Sequence, residues 1–221
     1  MRPQLCIFDF DNTILKFNIS AQQIANTKAK INAYLRQYNI PQDNLKPLIP
    51  KIIFLAKSVT ENKELQKKII SDCFSIIDEM EAYPDGGIKV HHDNLRLLND
   101  LHTRGIKLGI ISNNGREGVL NALRIAKLDL NMFTFLITRT DVSLPKPFPE
   151  PYLKIQHYLN THDCYLFTDD IFDVLPLLSL EKSYNWSIRK YIVLQMDIKN
   201  HSYEWETGKR MDFEMLLRAK S

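Results

Sequence analysis

The sequence has few cysteines and no long uncharged hydrophobic stretch. Its three cysteines, Cys6, Cys73 and Cys164, form no Cys-x-x-Cys pair and no Cys/His ligand spacing. We therefore expect buried thiols in a reducing compartment, which indicates a cytoplasmic protein. No apolar run reaches the roughly eighteen residues that a transmembrane helix needs. The N-terminus also lacks the uncharged stretch and the small-residue cleavage site of a secretory signal, so we expect none.

A strong excess of charge of one sign is missing too. The formal net charge is +3 in a chain of 221 residues that is 44% hydrophobic and 25% charged. This composition excludes disorder or coiled coil for the whole chain, and the net charge is too small to indicate a nucleic-acid partner. Residues 16–83 hold ten Lys or Arg against seven Asp or Glu, which is the whole excess. These charges are either solvated helix faces or a mildly positive lid over an anionic substrate.

Hydrophobic periodicity divides the chain into a helical segment and an alternating one. A short buried strand at 4–10 is followed, to about residue 83, by apolar spacings of three and four that predict helices only. After that, strands and helices alternate. The predicted helices are 20–38, 45–58, a third through 65–80 with Thr60 as its N-cap, then 88–104, 116–126, 150–159 and 171–180; the later strands are 106–111, 133–137, 164–167 and 191–196.

Alternating strands and helices predict an α/β fold with a doubly wound parallel sheet and helices on both faces. Residues 1–15 and 84–221 would form this Rossmann-like core. Residues 16–83 would be a helical unit inserted after the first strand. We expect ligands to bind at the carboxyl ends of the strands, as they do in open α/β sheets.

Polar and charged side chains follow several of the predicted core strands. They would converge in one crevice, where several carboxylates repel one another unless a cation neutralises them. Hard carboxylate oxygens suit Mg²⁺, which often accompanies phosphate substrates, and a lysine and a serine hydroxyl there suit phosphate. The residues are Asp9 and Asp11, Ser112 and Asn113, Lys146, and Asp169, Asp170 and Asp173.

In order and residue type, this set resembles the four motifs of the haloacid dehalogenase superfamily, in its magnesium-dependent phosphatase branch. The inserted helical unit is similar to the small helical cap of that superfamily. The resemblance extends from residue 4 to about 175 and is weaker in the C-terminal quarter, where the usual small-residue run is missing. The matching segments are Asp9-Phe10-Asp11-Asn12-Thr13, Ser112-Asn113, Lys146-Pro147 and Asp169-Asp170-Ile171-Phe172-Asp173.

The resemblance implies catalysis through an aspartyl-phosphate. Asp9 would be the nucleophile that attacks phosphorus. Asp11 would protonate the leaving group and then accept a proton from the hydrolytic water. Ser112, Asn113 and Lys146 would bind the phosphate group, with Asn113 contributing its backbone amide.

The resemblance also implies Mg²⁺ as the cofactor. Its ligands would be Asp9, Asp169 and the backbone carbonyl of Asp11, and Asp173 would support the ion through water or as a further ligand. Asp170 competes with Asp169 for this role, because the two are adjacent. The four-residue separation of Asp169 and Asp173 matches the family pattern and favours Asp169.

Several substrates fit this set of residues. A small phosphorylated metabolite, such as phosphoglycolate, a sugar phosphate or a nucleotide, is the leading class. A phosphotyrosine phosphoprotein is second, because of the unusual C-terminal quarter. A phosphomutase would use the same residues, and a non-catalytic binding module would keep only the fold. Dehalogenation is disfavoured, because dehalogenase relatives lack an acid at the position of Asp11. The oligomeric state is left open.

Overall fold

The chain folds into two units. One is formed by residues 1–16 and 88–221, and the other by residues 17–87, which include all of the predicted insertion except residue 16. The computed structural model describes residues 3–170, then 173, 174, 176, 177, 180 and 184, and the segments 188–193, 202–204 and 210–212.

A mostly parallel sheet forms the centre of the first unit. Among the described residues, seven strands have the order β5-β4-β1-β6-β7-β8-β9, while β2 and β3 form a separate two-stranded sheet. Strand β1 pairs in parallel with both β4 and β6, and the two antiparallel strands β8 and β9 extend one edge. The α/β prediction is confirmed. The strands are β1 (Leu5–Phe8), β2 (Leu15–Phe17), β3 (Ile88–Val90), β4 (Lys107–Ile111), β5 (Phe133–Ile137), β6 (Cys164–Thr168), β7 (Ile188–Val193), β8 (Ser202–Glu204) and β9 (Arg210–Asp212).

Strand β1 is buried on both faces, as its continuous apolar run predicts. Leu5 and Ile7 belong to the same buried cluster as Tyr152. Side chains alternate along a strand, so Phe8 points to the opposite face, where its ring stacks on Phe167 of β6 with centroids 4.5 Å apart. This burial is what a strand covered on both faces requires. It also fixes β1 between β4 and β6, where the strand order changes direction.

Seven α-helices lie in the described part of the chain. None of the helices described there combines the length and the apolar character needed to cross a membrane. The first three belong to the second unit and the other four to the first. They are α1 (Ala21–Leu35), α2 (Leu48–Val59), α3 (Lys63–Ala82), α4 (His92–Thr103), α5 (Arg116–Ile125), α6 (Glu150–Leu153) and α7 (Gln156–Thr161).

The second unit has a hydrophobic core of its own. Buried Ile31 of α1, Ile53 of α2 and Ile69 of α3 come from all three helices, and α3 contacts both α1 and α2. The predicted N-cap of α3 was wrong. Asn62, and not Thr60, caps the helix, because the Asn62 carboxamide oxygen accepts hydrogen bonds from two backbone N–H groups of the first turn.

Three predicted boundaries in the first unit were also wrong. The helix predicted from residue 88 begins only at His92, because the β-branched Ile88 and Val90 belong to strand β3. The single helix predicted at 150–159 is two helices, since Ile155 leaves the helical conformation. The last parallel strand begins at Ile188 rather than at residue 191, and residues 194–196 of that prediction lie outside the described residues. The helix predicted at 171–180 lies largely outside the described residues.

Candidate active site

Asp9 lies just beyond the carboxyl end of β1. Its backbone N–H donates to the carbonyl of Phe167 at 2.8 Å, so pairing with β6 continues one residue past the strand. Its carboxylate accepts a hydrogen bond from Lys146 Nζ at 2.6 Å, and Thr13 Oγ1 lies 3.5 Å from the other carboxylate oxygen. Only 8% of Asp9 is exposed. The fold therefore holds a carboxylate almost out of water at the centre of the sheet.

Lys146 joins two parts of the site that are far apart in sequence. Its Nζ donates to Asp9 at 2.6 Å and to Asp173 Oδ2 at 2.5 Å, and the residue is 3% exposed. Asp173 is held in turn by Thr168 Oγ1, which donates to the same carboxylate oxygen at 2.8 Å. The Tyr152 hydroxyl donates to the Asp173 carbonyl at 2.8 Å. Three of the predicted site residues are thus in direct contact, supported by one residue of β6 and one of α6.

Asp169 and Asp170 face different surroundings. Asp169 is half-buried, and its charge adds to the rise in the pKa of Asp9. Asp170 is exposed, and its backbone N–H donates to Thr168 Oγ1 at 3.1 Å. Of the two neighbours, Asp169 therefore belongs to the cluster around Asp9.

Burial and neighbouring carboxylates raise the pKa values of Asp9 and Asp169. Burial raises the pKa of Asp9 to about 7, and Asp173 and Asp169 add to the rise, although Lys146 opposes it. Burial and the charge of Asp173 raise the pKa of Asp169, and Asp11 contributes in the same direction. Burial alone would lower the pKa of Lys146, but Asp173 and Asp9 outweigh it and raise that pKa. The site therefore has more negative charge than its lysine offsets.

Asp11 lies in the tight turn that follows Asp9. The backbone N–H of Thr13 and that of Ile14 donate to the Phe10 carbonyl, and Asn12 has a left-handed φ of 58°. Asp11 is half-buried, and its Oδ1 accepts the Asn12 N–H at 3.1 Å. The turn leaves the Asp11 carboxyl near enough to raise the pKa of Asp169.

Ser112 and Asn113 begin the turn after β4. Ser112 Oγ accepts the backbone N–H of Asn114 at 3.0 Å and donates to the Asn114 carboxamide oxygen at 2.9 Å. The Asn113 amide nitrogen Nδ2 donates to the Lys146 carbonyl at 2.9 Å, while its Oδ1 is buried with no hydrogen-bond partner in the described part of the chain. The Asn113 side chain therefore joins this turn to the Lys146 loop.

Within the described residues, no three His, Cys, Asp or Glu side chains are arranged as a metal-binding group. In this arrangement Lys146 Nζ lies between the carboxylates of Asp9 and Asp173.

Several residues of the site were missed in the sequence. Thr168 precedes Asp169 directly, so its position next to a strand-end acid was a usable signal. Asn114 stands in the turn already identified at Ser112. Tyr152 and Arg139 carry no such signal, because their contacts join loops distant in sequence.

The chain is similar to several known proteins in sequence and in fold. A curated pyrophosphatase, PpaX from Bacillus cereus, is 26% identical over 168 residues, covering 72% of this chain and 70% of its own. A haloacid dehalogenase-like hydrolase structure from Bacteroides fragilis aligns with a TM-score of 0.57 at 20% identity, covering 89% of this chain and 90% of that one. The structure of a hydrolase from Pseudomonas syringae aligns with a TM-score of 0.54 at 22% identity, covering 99% of this chain and 90% of that one. At these identities the two structures establish the shared fold.

A sequence model of haloacid dehalogenase-like hydrolases matches residues 6–175, which include every residue of the site described above. The match covers more than half of the chain and both units. The chain therefore belongs to the haloacid dehalogenase-like hydrolase family.

Proposed function

We propose that this hydrolase is a magnesium-dependent phosphatase that cleaves a phosphomonoester, with a small phosphorylated metabolite as its substrate, through an aspartyl-phosphate on Asp9. The observation that carries the proposal is the Asp9 carboxylate, buried beyond the central strand and hydrogen-bonded at 2.6 Å to the buried ammonium of Lys146. A carboxylate held away from water is well suited to covalent attack on phosphorus. A fixed cation beside it stabilises the negative charge of the phosphoryl group.

The reaction would take two steps at Asp9. In the first, an Asp9 oxygen forms a bond to phosphorus while the bond from phosphorus to the leaving oxygen breaks, and Asp11 gives that oxygen its proton. In the second, water attacks the phosphoryl group, its proton passes to Asp11, and inorganic phosphate leaves. Both side chains return to their starting states. Support for Asp11 comes from its turn, which keeps its carboxyl group only partly buried and two residues from the nucleophile.

The donor set fits Mg²⁺. Asp9, Asp169 and Asp173 supply only hard oxygen atoms, and a cation beside Asp9 and Asp169 would oppose the rise in their pKa values that burial and neighbouring carboxylates cause. These three side chains and the backbone carbonyl of Asp11 would hold the ion. When bound, Mg²⁺ would offset the repulsion between the nucleophile and the phosphate. Ser112, Lys146 and the backbone amide of Asn113 would bind the phosphate oxygens.

A second candidate substrate is pyrophosphate. It is favoured by the similarity to PpaX, which is named a pyrophosphatase, over 72% of this chain. The same attack by Asp9 would apply, with phosphate rather than an alcohol as the leaving group. A panel that contains pyrophosphate beside phosphomonoesters distinguishes the two substrates by their kcat/KM.

We also propose that the unit 17–87 acts as the helical cap that selects the substrate. Every described residue of the site lies in the other unit, and the helical unit has a core of its own. Residues 17–87 hold nine Lys or Arg and eight Asp or Glu, so the support for this role comes from the separate core and not from net charge.

The chemistry is tested first at Asp9. Asp9→Asn preserves the shape of the side chain and removes the attacking charge, so turnover of an aryl phosphate with Mg²⁺ should fall by about three orders of magnitude or more. A chelator should abolish wild-type activity. The matched control is Asp129→Asn, because Asp129 is exposed in the same unit and caps a short helical turn that asparagine also caps. Retention of more than about a tenth of the activity in Asp9→Asn would refute the covalent role.

A further inference from the structure

Arg139 is a buried charge outside the mechanism proposed above. It follows β5 by two residues, is 1% exposed and has the largest side chain among the fully buried residues that the structure describes. A guanidinium is charged at every pH at which a protein folds. Burying such a charge is unfavourable unless it makes good hydrogen bonds. The atoms that Arg139 contacts therefore indicate why it is there.

Two of those atoms belong to the turn that begins at Ser112. Arg139 Nη1 donates to the Asn113 carbonyl at 2.5 Å. The backbone N–H of Arg139 donates to the Asn114 carbonyl at 3.1 Å. One residue thus holds two consecutive carbonyls of the turn, and one of the two bonds is charge-assisted.

The peptide group between Asn113 and Asn114 is hydrogen-bonded both to Arg139 and to Ser112. In a trans peptide the carbonyl and the N–H point in opposite directions. Arg139 binds the carbonyl end, and the N–H end donates to Ser112 Oγ at 3.0 Å. Rotation of this peptide would break both bonds. The direction of the Ser112 hydroxyl is therefore tied to the position of the guanidinium.

Asn113 also extends the hold to the lysine loop. Its Nδ2 donates to the Lys146 carbonyl at 2.9 Å, and Lys146 Nζ lies 2.6 Å from the Asp9 carboxylate. Displacing Asn113 would therefore disturb the backbone of Lys146 as well as the hydroxyl of Ser112. These are two of the groups assigned to phosphate binding.

We propose that Arg139 is a positioning residue of the phosphate site, acting on Ser112 through the Asn113–Asn114 peptide and on Lys146 through the Asn113 side chain. It does not contact the substrate. This inference rests on the proposed function, because it takes Ser112 and Lys146 as phosphate ligands.

The test compares Arg139→Gln and Arg139→Lys with the wild type. Glutamine removes the charge, and lysine keeps it but lacks the planar fork of donors. The control is Arg116→Gln, because Arg116 is a half-exposed arginine that binds Asp141 at 3.1 Å near the same loop without contacting residues 112–114 through its side chain. The dissociation constant of inorganic phosphate is measured by titration calorimetry with Mg²⁺ present. KM and kcat are measured with an aryl phosphate.

We expect Arg139→Gln to weaken phosphate binding and raise KM by about tenfold, and Arg139→Lys to do so by a few fold; Arg116→Gln should stay within about twofold. A merely structural arginine would lower the melting temperature and leave the phosphate dissociation constant and KM of the folded protein unchanged, which would overturn the proposal. If Arg139→Gln does not fold, Arg139→Lys decides by the same criterion.

The phosphate titration separates this inference from the proposed function. A wild type that binds phosphate but hydrolyses no ester contradicts the function, and the binding comparison still tests Arg139. A wild type that binds no phosphate contradicts the phosphate site, and with it the role of Arg139. Hydrolysis with unchanged binding in both Arg139 variants contradicts the positioning role alone.

Discussion

At the level of single residues, the surroundings of Asp9 oppose the ionisation of its carboxyl group. Lys146 offsets part of the charge of Asp9 and Asp173, yet burial and the neighbouring carboxylates still raise the pKa of Asp9 to about 7. A carboxyl group in an unfolded chain has a pKa of roughly 4. Asp9 therefore holds its proton more tightly in the folded protein, which couples the free energy of unfolding to pH.

The sign of this coupling gives a prediction for the metal-free protein. Asp9 contributes stability that is full below about pH 4 and is lost as the pH rises to about 7, with a limit of about 1.4 kcal/mol per pH unit for one proton. Asp9→Asn removes that contribution. Urea unfolding with a chelator, at several pH values across this interval, should therefore show a steeper fall for the wild type than for Asp9→Asn. Parallel curves would contradict the raised pKa.

Asp169 and Asp170 should differ in their effect on Mg²⁺. Asp169 is half-buried and its charge raises the pKa of Asp9, whereas Asp170 is exposed. Asp169→Asn should raise the Mg²⁺ concentration for half-maximal activity by about tenfold or more, because it removes a proposed ligand, and Asp170→Asn by less than about twofold. The two variants serve as controls for each other in a Mg²⁺ titration of aryl phosphate hydrolysis. The reverse order would assign the metal to Asp170.

The charged residues of the site could be predicted from the sequence, but the residues that hold them in place by hydrogen bonds could not. Asp9 and Lys146 could be predicted because both follow predicted strands. Ligands bind at the carboxyl ends of the strands in open α/β sheets, so an acid or a lysine in such a position indicates a binding site. Arg139, Tyr152 and Asn114 act through hydrogen bonds to particular backbone atoms or side chains. Such bonds depend on how loops meet in space, which periodicity does not encode.

At the level of elements, the predicted ends of helices were wrong where two neighbouring sequence signals indicated different end residues. Ile88 to Val90 precedes a good helix with no turn residue between them, so periodicity extended the helix backwards into strand β3. Thr60 and Asn62 are both capping residues two positions apart, and Thr60 Oγ1 instead accepts the Asn62 N–H at 3.1 Å. Element type was predictable in these segments, because burial patterns repeat over many residues. The end residues depend on a single hydrogen bond.

Strand β4 contains a glycine, Gly109, that leaves room for an aromatic ring of the neighbouring strand β5. Gly109 pairs with Phe135 of β5, whose ring lies across it: a Cβ at Gly109 would be 2.1 Å from the ring atom Cζ. The ring also packs on Tyr158 with centroids 5.3 Å apart. Gly109→Ala should therefore displace Phe135 and destabilise the protein by about 1–3 kcal/mol, measured by urea unfolding.

A double-mutant cycle isolates that cause. With Phe135→Ala in the background the clash is gone, and Gly109→Ala should become neutral or slightly stabilising, because alanine is less flexible than glycine in the unfolded chain. An equal cost of Gly109→Ala in both backgrounds would show that the ring is not responsible.

At the level of the whole molecule, all described residues of the site belong to one of the two units. Asp9, Ser112, Lys146, Asp169 and Asp173 all lie in the unit formed by residues 1–16 and 88–221. The proposed chemistry therefore needs no described residue of the unit 17–87. Substrate recognition beyond the phosphate group is what we have proposed for that unit.

The chain enters and leaves the helical unit at one place. The Asn18 N–H donates to the Gly87 carbonyl at 2.9 Å, and the Gly86 N–H donates to the Asn18 carbonyl at 2.9 Å. Gly86 has no room for a side chain there, because a Cβ would lie 2.6 Å from the Asn18 carbonyl oxygen. A short linker can therefore replace residues 17–87 without stretching the remaining unit.

Replacing residues 17–87 by such a linker should leave a protein that still hydrolyses an aryl phosphate slowly with Mg²⁺, because the proposed phosphate and metal ligands remain. Its ranking of natural phosphate esters should collapse to within about tenfold, because binding energy from the rest of the substrate is lost. The measurement is kcat/KM over one panel of phosphorylated compounds for the full chain and the shortened one. Asp9→Asn in the shortened chain is the control, since it must abolish the residual activity if the same site is at work. A shortened chain that folds and ranks the panel as the full chain does would place substrate selection in the α/β unit.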